Sequence, residues 1–123
     1  MESKNEKWLN AVTHLKEALT QYTKGSTDLN FLALVKAFEI TIEYAWRDMK
    51  RLVEDQGLEA QSPKMAVKTA AKLGLITAPE TWLECINARN NSVHDYFGIT
   101  NKEFTDLAKE LIALIDQSEI FKS

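Results

Sequence analysis

The residues able to do chemistry cluster in one stretch, Ala88-Arg89-Asn90-Asn91-Ser92-Val93-His94-Asp95-Tyr96-Phe97. It holds one of only two histidines in the 123-residue chain. An arginine stands five residues before that histidine and a tyrosine two residues after it. The set combines a cation that is always charged, a ring that titrates near neutrality and a phenol. A guanidinium offers a planar fork of donors to phosphate oxygens. An imidazole with an ordinary pKa of about 6.5 can take or give a proton at neutral pH. A phenol can hydrogen-bond a phosphate or accept a transferred group.

Their geometry on a helix is constrained. Each residue turns about 100°, so Arg89 and Tyr96 fall about 20° apart while His94 lies roughly 140° from Arg89. A regular helix therefore cannot aim Arg89 and His94 at one small target. Either the helix loosens near Asn90-Asn91, where asparagine tolerates the left-handed region, or a second copy of the chain completes the site. The plain structural alternative is that Arg89 pairs with a nearby acid and His94 is a satisfied structural histidine.

The elements that must position this stretch read as helices. Trp8, Val12, Leu15, Leu19 and Tyr22 follow the spacing of one helical face, predicting a first helix over Asn5 to Thr23. His14 lies off that stripe and is expected at the surface. Gly25 suits the helix end, and Thr27 or Asp28 suits the next N-cap. A long second helix is expected over Leu29 to Asp55. Its stripe is Phe31, Leu34, Val35, Phe38, Ile42, Ala45, Met49 and Leu52, widened by Trp46 and Val53, with Ile40 and Tyr44 towards another face. So wide an apolar surface serves either a homodimer face or a central helix covered by its own neighbours. Gln56-Gly57 ends it.

Ser62-Pro63 opens a third helix, with serine as N-cap and proline in the first turn. Met65, Ala66, Ala70 and Leu73 form its apolar face, and Gly74 closes it. Lys64, Lys68 and Lys72 recur every four residues, with no acid between Ala60 and Pro79. That basic stripe is either a solvated face or a contact for RNA or an acidic partner. A fourth helix begins near Pro79-Glu80, is anchored by Trp82, Leu83 and Ile86, and carries Arg89 near its end; Phe97 and Gly98 leave it. A fifth opens with Thr100-Asn101-Lys102-Glu103, a capping box, and buries Phe104, Leu107, Leu111, Leu114 and Ile115. The fold class expected is all-α, an antiparallel bundle of four to five helices in a single domain over 1–123.

Composition narrows the function classes. Hydrophobic residues are 45% and charged residues 27%, ordinary for a globular domain. There is no apolar run near 18 residues and no apolar segment of signal type after the charged N-terminus, so neither a membrane partner nor export is expected, and the protein is placed in the cytoplasm. A single cysteine, Cys85, excludes an internal disulfide and reads as a packed thiol. His14 and His94 lie far apart with no Cys/His cluster, so neither a metal site nor another cofactor is expected. A net charge of −3 argues against a protein that coats nucleic acid non-specifically, though not against a local basic site.

With these residues laid out, the chain resembles the HEPN superfamily of small helical bundles. More narrowly it is similar to the HepT-type proteins, also called nucleotidyltransferase substrate-binding proteins. The family's hallmark Arg-x4-His-x-Tyr stands here as Arg89, His94 and Tyr96, with the family's asparagine at Asn90. Supporting similarities are Ala45-Trp46-Arg47, Glu54-Asp55-Gln56-Gly57, Ser62-Pro63, Leu73-Gly74-Leu75-Ile76 and Trp82, so the resemblance spans nearly the whole chain.

The resemblance implies a toxin of a type VII-like toxin–antitoxin pair, a metal-independent endoribonuclease acting as a homodimer with two motif copies across the dimer cleft. It implies Arg89 and His94 as catalytic residues, with Asn90 and Asp95 in support. The implied partner is a minimal nucleotidyltransferase antitoxin that transfers AMP to Tyr96. Some relatives are described only as complex-forming partners, so a non-catalytic subunit that presents substrate to such an enzyme is the rival expectation.

Overall fold

The computed structural model describes residues 4–94 and 100–121, with residues 4–6, 91–94 and 119 described through their backbone alone. Among the described residues there are five α-helices and one short 3-10 turn. They are α1 (Lys4–Lys24), α2 (Asp28–Asp55), α3 (Pro63–Lys72), α4 (Pro79–His94), α5 (Asn101–Gln117) and the turn Glu119–Phe121. The all-α bundle expected from the periodicities is the one observed.

Local chemistry sets the boundaries. Thr27, Ser62 and Thr100 are extended N-caps whose hydroxyls accept from the backbone N–H of Asn30, Met65 and Glu103 at 3.1, 3.2 and 3.1 Å. Each satisfies one of the donors a helix start leaves orphaned. Gly57 and Gly74 follow α2 and α3 with φ of 83° and 74°, a left-handed region that costs glycine nothing.

Cross-helix contacts give the directions. The Thr41 hydroxyl of α2 donates to the Ala11 carbonyl of α1 at 3.3 Å, midway along both helices, as an antiparallel hairpin closed by residues 25–27 requires. Against α5 and its following turn, α1 runs antiparallel too. Trp8 stacks on Phe121 at 4.9 Å, Lys16 reaches Asp116 at 3.4 Å and Asn101 reaches the Tyr22 hydroxyl at 3.5 Å.

The core is continuous. Trp8, Val12 and Leu15 of α1 pack with Phe31, Leu34, Phe38, Ile42, Met49 and Val53 of α2, and with Trp82, Phe104 and Leu111. Phe38 and Phe104 lie ring to ring at 4.7 Å, both fully buried. Most of the α2 stripe is thus covered within the chain by α1, α3 and α4. Only Leu29, Leu32 and Ile40 remain as exposed large apolar residues of that helix.

Local readings change in α3 and in the final turn. Met65 and Leu73, read as core positions of α3, are exposed, and Val67 is buried in their stead. In a helix of ten residues the apolar face is set by two alanines and one valine, and the flanking residues fall beyond it. Phe121, given no role by periodicity, is buried between Trp8 and Trp82. His14 is exposed, as its position off the stripe predicts.

Cys85 is fully buried. Burial, and then the negative charges of Glu110 and Glu84, push its thiol far above the ordinary cysteine range. The unfolded thiol ionises above its usual value of about 8.5 while the native thiol keeps its proton. Stability from this group is therefore intact below that pH and falls as pH rises above it, at up to about 1.4 kcal/mol per pH unit. Urea melts between pH 8 and 10 should show this slope in the wild type and its loss in Cys85→Ala. Equal slopes in the two proteins would contradict it.

Candidate functional site

α4 builds the site by continuing its own buried stripe. Trp82, Cys85 and Ile86 face the core, and Arg89 is the next residue on that side. Its side chain is 34% exposed, held against α2, where its Nη2 meets Glu43 Oε1 at 2.5 Å. The other oxygen of Glu43 lies 3.4 Å from Nη2 of Arg47, one turn further along α2. Nη1 of Arg89 donates to the side-chain oxygen of the exposed Asn90 at 3.1 Å.

The acid partner that the plain reading of Arg89 called for thus exists, and it is Glu43. Sequence reasoning did not single it out. Its one signal was the i,i+4 spacing to Arg47, and such pairs are common on exposed helix faces. Asp48 was also missed. It is a buried carboxylate, 7% exposed, set within the apolar rows of α2 between Ala45 and Met49. A charge interrupting such a row is rarely buried without a partner, and that interruption was the signal available.

α4 runs unbroken through Asn90 and Asn91 to His94, so the helix does not loosen there. Tertiary packing of Ala88 and Arg89 against α2 outweighs the weak helix propensity of asparagine. The backbone of His94 therefore keeps its five-residue register from Arg89, about 140° around the helix. Asp95 and Tyr96 lie outside the described residues, as does the helix exit expected at Phe97 and Gly98.

The lysine stripe is elsewhere. Lys64, Lys68 and Lys72 are exposed, and among the described residues none of them is ion-paired. Lys68 and Lys72 border an open groove of about 360 Å³ with Met65, Pro79, Glu80 and Leu83. Along α4 that groove is about 9–15 Å from Arg89 at 1.5 Å per residue. The lysines do not join Arg89 in one cluster.

Among the described residues no group of three or more His, Cys, Asp or Glu side chains is placed to hold a metal ion, and no helix is long and apolar enough to cross a membrane.

A family described as nucleotidyltransferase substrate binding protein like matches residues 3–119. The chain belongs to that family. No curated protein matches it. Among solved structures it is similar to the tri-AMPylated Shewanella oneidensis HEPN toxin in complex with MNT antitoxin. The TM-score is 0.69 over 92% of this chain and 93% of that one, at 14% identity. At that identity the likeness is one of fold, so this member of the family has the HEPN all-α fold.

The ion pair has a measurable consequence. Arg89→Ala leaves the half-buried Glu43 without its shortest contact, which is expected to cost about 1 kcal/mol. That exceeds the cost of removing an ordinary exposed polar residue, within about 0.5 kcal/mol. A double-mutant cycle with Glu43→Ala, read by urea denaturation, measures the coupling. A coupling energy near zero would reduce the pair to a surface contact.

Proposed function

We propose that the chain is a HepT-type toxin, a metal-independent endoribonuclease controlled by a minimal nucleotidyltransferase antitoxin in the cytoplasm. The observation that carries this reading is the unbroken α4 with Arg89 and His94 in the Arg-x4-His register, in a fold shared with a HEPN toxin found in complex with an MNT antitoxin.

RNA cleavage on this reading is an internal transfer. A base takes the proton of the 2′-OH, O2′ bonds to phosphorus, and the P–O5′ bond breaks as a proton reaches the leaving 5′ oxygen. His94 serves as the proton carrier, and Arg89 binds the charge gathering on the phosphorane. Asn90 holds the guanidinium through its side-chain oxygen, and Asp95 orients a neighbour. Because Arg89 and His94 diverge on one helix, the active unit is a homodimer in which the arginine of one protomer and the histidine of its partner converge. Sedimentation at micromolar concentration should show twice the 14.0 kDa chain mass; a lone 14.0 kDa species would remove the dimer. The function itself is tested by incubating the purified chain with tRNA and mRNA in excess EDTA. Fragments ending in 2′,3′-cyclic phosphate are expected, and intact RNA would refute a nuclease.

Control follows from Tyr96, about 20° from Arg89 on a continued helix. AMP on its oxygen brings an anionic phosphate towards the Arg89 donors and repels incoming RNA. Co-expression with the cognate nucleotidyltransferase should add one or more AMP masses to the intact protein, lost in Tyr96→Phe. An unchanged mass with toxicity still neutralised would mean control by binding alone. Lys64, Lys68 and Lys72, exposed on α3 with the last two beside a groove, suit docking of that antitoxin or contact with RNA.

The second reading, a non-catalytic subunit that presents substrate to the nucleotidyltransferase, is favoured by one observation. Arg89 is held by Glu43, as a purely structural arginine would be. It predicts complex formation with no RNA cleavage and no toxicity on expression alone.

A further inference from the structure

We propose that Arg47 is a second phosphate-binding cation of the site, and that Glu43 is the positioning residue that holds Arg47 and Arg89 on either side of its carboxylate. This rests on the ribonuclease reading and adds a residue to its machinery.

The two oxygens of Glu43 are divided between two guanidiniums from different helices, Oε1 to Arg89 of α4 and Oε2 to Arg47 of α2. Two cations thus meet around one carboxylate in a chain of net charge −3. The next basic residues along α2 are engaged with their own acids, Lys50 with Glu54 at 2.7 Å and Arg51 with Asp55 at 3.4 Å.

Exposure divides the roles. Arg47 has 70% of its side chain in solvent, against 34% for Arg89 and 26% for Glu43. Arg47 is therefore the cation an arriving anion meets first. A guanidinium carries five N–H donors, and one contact at 3.4 Å leaves most of those on Arg47 for a ligand. Phosphate oxygens are spaced much like those of a carboxylate, so a phosphodiester that displaces Glu43 meets the two guanidiniums its oxygens now hold. Charge on the reacting phosphate grows in the transition state, and a pair of guanidiniums binds that growing charge better than one.

The test uses the full chain and a short single-stranded RNA, with binding followed by fluorescence anisotropy across a salt series. Losing one phosphate contact from a single strand lowers the slope of log K against log[salt] by about 0.7. Arg47→Ala is expected to lower it by about that amount and to weaken binding several-fold. Arg47→Lys keeps the charge and the slope, but loses part of the cleavage rate because an ammonium lacks the fork. Glu43→Gln removes the negative charge between the two guanidiniums, so the slope does not fall, but it loosens their alignment and lowers kcat about 10-fold without raising KM. An unchanged salt slope in Arg47→Ala overturns the assignment of Arg47. An unchanged kcat in Glu43→Gln overturns that of Glu43. If Arg89→Ala lowers the slope while Arg47→Ala does not, the ribonuclease reading stands and only this inference fails. If the wild type neither binds nor cleaves the RNA, both fall together. Circular dichroism confirms folding; Arg47 is exposed in mid-helix, where alanine is the better helix former.

Discussion

His94→Ala is expected to slow RNA cleavage by about 10²–10⁴-fold, the usual contribution of a positioned proton carrier. Arg89→Ala should cost about 10²–10³-fold through loss of transition-state charge stabilisation. The two losses should not multiply, because groups that act on one phosphate as a unit are strongly non-additive. Mixed dimers sharpen the expectation. If the site is shared across protomers, a dimer of one Arg89→Ala chain and one His94→Ala chain retains one intact site and regains part of the wild-type rate. If each chain carries its own site, the mixed dimer is inactive. Wild-type cleavage in His94→Ala would end the nuclease assignment of this residue, and the chain would then be read as the non-catalytic partner. Melting separates chemistry from folding. The Arg89 variant should unfold a few degrees earlier because of Glu43, a shift far too small to explain a hundredfold loss of rate at 25 °C.

Truncating Phe38 is the largest expected loss of stability. The ring is fully buried at the centre of α2 and packs on Phe104 at 4.7 Å. Phe31 meets the same Phe104 ring at 5.6 Å, so the cavity left by alanine is walled by aromatics that cannot collapse into it without moving two helices. Phe38→Ala should therefore cost about 3–5 kcal/mol, lowering Tm by roughly 10–20 °C for a domain of this size. Phe38→Leu keeps most of the volume and should cost about 1.5 kcal/mol or less. Leu111→Ala, fully buried on α5, belongs to the same class at about 2–5 kcal/mol. A loss under 1 kcal/mol in Phe38→Ala would mean that the core around Phe104 is looser than its burial indicates.

The number of helices, their boundaries and most of their buried faces were legible in the sequence, because each is a local property. Phe31, Leu34, Phe38, Ile42 and Met49 recur at the helical period. Thr27, Ser62 and Thr100 cap the helix starts through bonds to residues three positions on. Met65 and Leu73 were misplaced because α3 has only ten residues, too few turns for its period to mark one face.

Contacts across the bundle follow a different rule. That Glu43 rather than another acid meets Arg89, that Asp48 is buried and that Phe121 fills the space between Trp8 and Trp82 depend on how α1, α2, α4 and α5 cross. Crossing angles are set by how side-chain ridges interdigitate, and no spacing within a single helix records that. Arg89 and His94 mark the chemistry in the sequence itself. Which carboxylate holds the arginine, and which second arginine shares that carboxylate, was decided only when α4 packed on α2 and brought a half-buried guanidinium to Glu43, where burial makes a charge partner obligatory.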